Sequence, residues 1–168
     1  MKLLSIAIPS YNSEGFMRNC IESLLPGGEE VEIIVVNDGS KDGTGAIADE
    51  YTAKYPTIVK AVHQENGGHG QAVNTGLANS TGLYFKVLDS DDWMDKDSLV
   101  KVADTLKKLH SEGTVVDMFI ANYVYEKVSE NRQNVIRYTN VLPQNRVFTW
   151  SETKHFLPHQ NILMHSVI

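Results

Sequence analysis

Leu83-Tyr84-Phe85-Lys86-Val87-Leu88-Asp89-Ser90-Asp91-Asp92 sets an apolar run directly against three carboxylates. Side chains alternate along a strand, so residues two apart face the same way. Extended geometry carried through the motif therefore points Asp89 and Asp91 together, past the strand end. Their repulsion works against stability. A divalent cation carrying a phosphorylated ligand relieves it, because Mg²⁺ is commonly held by one or two carboxylates plus substrate phosphates. The competing reading is an acidic turn ahead of a helix, since Asp favours both turns and caps. The rest of the chain decides between them.

Three further apolar runs precede this one, at residues 3–8, 31–36 and 58–62. Amphipathic segments separate them. Phe16, Met17, Cys20, Ile21, Leu24 and Leu25 recur at helical spacing. Ile47, Ala48, Tyr51 and Tyr55 mark a second helix, with Thr44 or Asp42 as its cap. A glycine-rich turn leads into a third helix near residues 71–78. Leu99, Val100, Ala103, Leu106 and Leu109 form a fourth that stops near Gly113. Strands alternating with helices predict an α/β fold with a mostly parallel, Rossmann-like sheet flanked by helices.

The pattern changes after Asp117. Residues 118–125 and 135–139 read as strands around a polar loop containing Glu130, Asn131 and Arg132. Thr149-x-x-Glu152 matches a capping box and predicts a short helix. Residues 161–168 are apolar and strand-like, so we expect the chain to continue into a larger protein.

A length of 168 residues suits one domain with one substantial core. Hydrophobic content of 42% and charged content of 21% are those of a soluble globular protein. A formal net charge of −6 argues against nucleic acid as the main partner. It also means that an anionic ligand needs a metal or local backbone donors. Cys20 is the single cysteine, which excludes an intrachain disulfide and fits a reducing compartment. It lies on the apolar face of its helix and reads as a small buried hydrophobe. Neither a secretory signal nor a membrane-spanning run is visible, so the expected location is cytoplasmic.

Ligands of open α/β sheets bind beyond the carboxyl ends of the strands, near a switch in strand order. The residues after the four strands are Pro9-Ser10-Tyr11-Asn12, Asn37-Asp38-Gly39-Ser40, Gln64-Glu65-Asn66-Gly67-Gly68-His69-Gly70 and Asp89-Ser90-Asp91-Asp92. All four stretches are polar, and their convergence outweighs the turn reading that each admits alone. Asp38-Gly39 is also a common turn dipeptide. Asn66-Gly67-Gly68 either permits positive φ or lets backbone N–H groups approach phosphates. His69 reads as a helix-start residue, because no second His or Cys stands at ligand spacing. His155 and His159 share i, i+4 spacing without the context of a zinc helix. A dinucleotide fingerprint fails at Val73, no P-loop is present, and an EF-hand would need glycine at Met94 and glutamate at Val100.

With these residues assembled, the chain resembles the family 2 glycosyltransferases of GT-A fold. The matching residues are Leu4-Ser5-Ile6-Ala7-Ile8-Pro9-Ser10-Tyr11-Asn12, Val35-Val36-Asn37-Asp38-Gly39-Ser40, Asn66-Gly67-Gly68 with Asn74-x-Gly76, and Leu88-Asp89-Ser90-Asp91-Asp92. The resemblance implies a nucleotide-sugar site built by Pro9, Tyr11, Asn12, Asp38, Gly68, Gly70, Asn74, Asp89 and Ser90. In it Pro9 and Tyr11 line the base pocket, Asp38 hydrogen-bonds uracil, and Asp89 lies near the ribose. Asp91 binds Mg²⁺ or Mn²⁺ bridging the diphosphate, with Asp89 and Asp92 as further candidate ligands. Asp92 either orients the metal shell or opens the next helix. Many relatives carry Arg where this chain has Val73.

On this resemblance the chain is a single truncated GT-A domain, with residues 1–116 as the nucleotide-sugar-binding half and 117–168 as the start of a mixed acceptor half. The expected activity is inverting transfer of a hexosyl or N-acetylhexosaminyl group from a UDP-sugar. The acceptor is a glycan or lipid-linked molecule of polysaccharide or cell-envelope synthesis, reached in the full-length protein at the inner face of the membrane. Glu126, Glu130 and Glu152 are the acids after Asp117. None stands in a matching motif, so the catalytic base is expected beyond Ile168 and this chain alone is expected to be inactive. The rival readings are a nucleotide-sugar binding module without transferase activity and a metal-dependent phosphoryl or nucleotidyl transferase. The last needs Lys or Arg at the phosphates, where the turns after the first, second and fourth strands offer Lys41.

Overall fold

Residues 1–127, 130, 132–154 and 166–168 are described by the structure, a computed structural model. They fall into two compact units, Met1–Val115 and Val116–Ile168.

The first unit contains β1 (Leu4–Ser10), α1 (Met17–Leu24), β2 (Val31–Asp38), α2 (Thr44–Lys54), β3 (Val59–Gln64), α3 (His69–Ala78), β4 (Tyr84–Val87) and α4 (Lys96–Ser111). The strands stand in the order β3-β2-β1-β4, every neighbouring pair parallel. All four carboxyl ends therefore share one edge. The chain winds from β1 through β2 to β3, then returns to place β4 on the other side of β1. That reversal creates the switch point beside which α/β sheets bind ligands.

Sequence patterning explains why these elements form. All seven residues of β1 are buried, and Ile33, Ile34, Val35 and Val36 of β2 are inaccessible to solvent. Continuous burial without alternation is the mark of a strand covered on both faces. Met17, Cys20, Ile21 and Leu24 give α1 one apolar stripe, and Leu99, Val102, Ala103 and Leu106 give α4 another. Each such leucine contributes about 1.5–3 kcal/mol on burial.

α3 packs on β1 and β2 through Ala72 and Gly76. A Cβ at Gly76 would stand 2.5 Å from the Cβ of Ala7, so glycine there lets helix and strand approach closely. The α2 entrance is held by Asp42, whose Oδ1 accepts from the Thr44 N–H at 3.0 Å. Asp95 caps α4, accepting from the Ser98 N–H at 2.9 Å. Asp92 therefore does not cap that helix.

The second unit contains a hairpin of β5 (Tyr123–Lys127) and β6 (Arg132–Ile136), paired antiparallel from Tyr123↔Ile136 to Lys127↔Arg132. Its core is Ile136, Tyr138, Val141 and Leu142, with Ile120, Tyr123 and Phe148 packed against it. Three expectations are corrected here. The apolar stretch 118–125 is two pairings: Phe119 and Ala121 bond residues 168 and 166, and β5 begins only at Tyr123. Arg132 belongs to β6, not to the polar loop, and the chain after Ile136 turns about buried Tyr138, whose carbonyl accepts from Val141 and Leu142. Trp150–Glu152 is a single 3₁₀ turn without a capping box, because Glu152 bonds Arg146 at 2.8 Å and Thr149 Oγ1 meets Ser151 Oγ.

The imidazoles of His155 and His159, and most of the apolar tail from 161, lie outside the described residues. Among the described residues, no helix is long and apolar enough to cross a membrane.

Candidate functional site

A ring of hydrogen bonds joins the four loops at the carboxyl edge of the sheet. The loop after β1 meets the loop after β2: the Asn12 N–H donates to Ser40 Oγ at 3.0 Å, the Lys41 N–H to Asn12 Oδ1 at 2.9 Å, and the Ser13 N–H to Thr44 Oγ1 at 2.7 Å. The loop after β2 meets the loop after β3 through Asp38. Its Oδ1 accepts from Gln64 Nε2 at 2.7 Å and the Gly67 N–H at 2.8 Å, and its Oδ2 from the Gly68 N–H at 2.9 Å. The β3–α3 loop meets the acidic loop where His69 Nε2 bonds Asp89 Oδ1 at 3.0 Å. Ser13 Oγ and Ser90 Oγ, 2.8 Å apart, close the circuit between the loops after β1 and β4. Asp38 and Asp89 are thus bound by consecutive residues, 67 to 69.

Asp38 is 3% exposed and sits at the last position of β2. Burial alone would raise its pKa. The N–H groups of Gly67 and Gly68 and the Gln64 amide overcome that and hold the carboxyl below the usual carboxylate range. An ionised carboxylate offers about four acceptor positions; three are used, and one remains on Oδ2. Gly39 makes the turn that follows. It adopts φ +68°, and a Cβ there would lie 2.7 Å from the backbone nitrogen of Asn66. Gly39→Ala is expected to destabilise the fold by about 2–4 kcal/mol, combining left-handed strain with overpacking. Urea denaturation checks this, and a loss under about 0.5 kcal/mol would contradict the packing described.

Two of the expected site residues, Gly68 and Asn12, also bond within the protein. The Gly68 N–H donates to Asp38 Oδ2. Asn12, at φ +51°, spends its N–H and Oδ1 on the loop after β2. Pro9 is buried as the penultimate residue of β1, while Tyr11 is half-exposed just beyond it. Gly70 and Asn74 are exposed on the first two turns of α3.

In the acidic loop the Asp92 N–H donates to the Asp89 carbonyl at 2.9 Å, making a tight turn. Asp91 is exposed, and no bond to its carboxylate occurs among the described residues. Beneath this turn lies Lys86, buried on β4. Burial pushes its pKa down to about 8, against the pull of Asp92 and Asp89. A lysine inside an apolar strand run carries no sequence signal that its charge lies near Asp89 and Asp92. The Cys20 thiol bonds the Asp89 carbonyl at 3.6 Å. Burial, then the charges of Asp92, Asp91 and Asp89, push its pKa up, so it is no nucleophile.

Among the described residues no group of three His, Cys, Asp or Glu forms a ready metal cage. Hard carboxylate oxygens such as that of Asp91 nevertheless fit Mg²⁺ or Mn²⁺ that takes its remaining ligands from phosphate and water.

A parallel sheet of order β3-β2-β1-β4 flanked by helices, with these loops joined at its carboxyl edge, has the architecture of a GT-A fold. Residues 5–168 match the profile described as Glycosyl transferase family 2, and the chain belongs to that family. It is 36% identical over 161 residues to the uncharacterized glycosyltransferase EpsJ of Bacillus subtilis, covering 94% of this chain and 43% of that protein. It is 33% identical over 142 residues to glycosyltransferase GlyA of Streptococcus pneumoniae, covering 76% of this chain and 20% of that protein. The chain therefore spans less than half of these relatives. Among solved structures it is similar to S. aureus TarS residues 1–349, at 31% identity and a TM-score of 0.56, over 66% of this chain and 33% of that one. TarS 1–349 has also been solved in complex with UDP and with UDP-GlcNAc.

Proposed function

We propose that this chain carries the donor site of a metal-dependent inverting glycosyltransferase that uses a UDP-linked hexose or N-acetylhexosamine. The acceptor is a polysaccharide, glycolipid or similar molecule of cell-envelope synthesis, met on the cytoplasmic face of the membrane. The observation that carries this reading is the binding of Asp38 and Asp89 by consecutive residues at one sheet edge. The likeness to TarS, solved with UDP and UDP-GlcNAc, supports the choice of nucleotide.

In this reading Pro9 and Tyr11 line the base pocket, and the open acceptor position on Asp38 Oδ2 takes the uracil imide N–H. Asn12 and Gly68 shape the pocket by fixing its loops. Gly70 and Asn74 face the phosphate side, and Asp89 and Ser90 the ribose. Asp91 holds Mg²⁺ or Mn²⁺, with Asp89 and Asp92 as further ligands. The bound cation supplies Lewis-acid neutralisation of the departing nucleoside diphosphate. Residues 1–116 form the donor half, and 117–168 begin the acceptor half. The base that deprotonates the acceptor hydroxyl is placed beyond Ile168; Glu126 and Glu152 are already bonded to Gln133 and Arg146.

Calorimetric titration with UDP, GDP, CDP and their sugars in Mn²⁺ tests the reading. The uridine compounds are expected to bind most tightly, with no sugar transfer by this chain alone. Failure of every nucleotide to bind would overturn the donor-site assignment. Preference for GDP would overturn the UDP assignment, and robust transfer would overturn the placement of the base.

A further inference from the structure

The bond between His69 and Asp89 is not needed to form α3 or the acidic turn. Ala72 already closes the first turn of α3 on the Gly68 carbonyl, and Asp92 closes the acidic turn on the Asp89 carbonyl. The two side chains are 59% and 38% exposed, a setting in which a His–Asp contact adds little to stability. What the contact does change is orientation. An aspartate at a loop tip otherwise exchanges between rotamers. With Oδ1 held by Nε2 at 3.0 Å, the direction of the second oxygen is fixed. The ring nitrogen that faces a carboxylate is the donor, so the bond requires Nε2–H.

The anchoring of His69 gives this bond its wider consequence. The two residues before it, Gly67 and Gly68, donate their N–H groups to Asp38 at 2.8 and 2.9 Å. One segment of three residues therefore sets the loop around the carboxylate after β2 and the orientation of the carboxylate after β4.

We propose that His69 is a positioning residue of the donor site, holding Asp89 in its ligand-facing orientation and coupling it to the Asp38 loop. The proposal rests on the donor-site reading given above, because the orientation of Asp89 matters only if Asp89 faces the nucleotide. His69 itself touches neither base nor sugar in this account. A side chain that places a donor nitrogen where Nε2 lies can replace it, and one that cannot reach will fail.

Titration of the 168-residue chain with UDP in Mn²⁺ tests this for the unmodified protein and for His69→Ala, His69→Asn and His69→Gln, with melting temperatures measured alongside. Removing a residue that orients a metal-side ligand commonly costs about 10–100-fold in affinity. His69→Ala and His69→Asn are expected to weaken UDP binding roughly tenfold or more on that basis, with little change in melting temperature. His69→Gln, whose amide reaches as far as Nε2, is expected to restore most of the affinity. Should alanine disturb the start of α3, the pair Asn and Gln decides, because both are polar and only Gln reaches. Unchanged affinity in His69→Ala, or equal weakening in His69→Asn and His69→Gln, would overturn the positioning role while leaving the donor site standing. Absence of UDP binding by the unmodified chain would instead overturn the donor-site reading, and this proposal with it.

Discussion

Asp91→Asn is expected to abolish the part of UDP stabilisation that depends on a divalent cation. The unmodified chain should melt at a higher temperature with UDP and Mn²⁺ or Mg²⁺ than with UDP and chelator. At a ligand concentration of 100 times Kd the gain is about 2.7 kcal/mol. Asn keeps the size of the side chain and its place in the acidic loop but removes the charge that a hard cation requires. Asp91 is exposed and unbonded among the described residues, so the substitution leaves the fold intact. Any loss therefore reports on binding. Scanning calorimetry with and without chelator makes the measurement. Equal stabilisation by UDP in chelator, or an unchanged metal effect in Asp91→Asn, would remove the metal role from this residue.

Asp38→Ala carries the largest expected cost to stability. The substitution strips the partner from two backbone N–H groups and one amide in a site that is almost closed to water. Hydrogen bonds to a charged group contribute about 1.5–3 kcal/mol each, and unsatisfied buried donors add their own penalty. Partial rehydration of the opened loop offsets part of this, leaving a net loss of about 3–5 kcal/mol. Chemical denaturation measures it.

The pH dependence follows from the same contacts. The folded-state pKa of Asp38 is depressed, so its contribution is complete above the unfolded value of about 3.9 and is lost as pH falls through the folded value. Glu32 acts in the same direction at the opposite edge of the sheet. Burial raises its pKa, but Ser5 and Thr81 outweigh that and hold it low. Asp38→Ala should therefore flatten the acid limb of the stability profile without removing it. A mutant as stable as the parent at pH 7 would contradict the described bonding of the β3–α3 loop.

The four strands and helices of the first unit were legible in the sequence because each is dictated by local pattern. Runs such as Leu4 to Ile8 have no polar face, and Met17, Cys20, Ile21 and Leu24 repeat only at a helical period. The edge that collects the polar loops followed from strand polarity alone. The hairpin was less legible. Val124 and Val135 face each other yet are 49% and 42% exposed, so burial does not distinguish one register from the next.

Within the site, residue types were readable and partners were not. Nothing in Gly67-Gly68-His69 says that two N–H groups serve Asp38 while the imidazole turns to Asp89; that depends on φ, ψ and rotamer. The same holds for Lys86, whose approach to Asp89 and Asp92 depends on the fold of the acidic loop over the end of β4. Asp92 was readable as either a helix cap or part of the metal shell, and the Asp95 cap of α4 removes the first of these.

A crystal structure of this chain with UDP and Mn²⁺ would locate the donor directly. A single nucleotide is expected along the carboxyl edge of the sheet, its uracil imide on Asp38, its diphosphate beside α3, and the cation on Asp91. A nucleotide bound elsewhere, or one whose diphosphate reaches a cation held without Asp91 or Asp89, would contradict this placement.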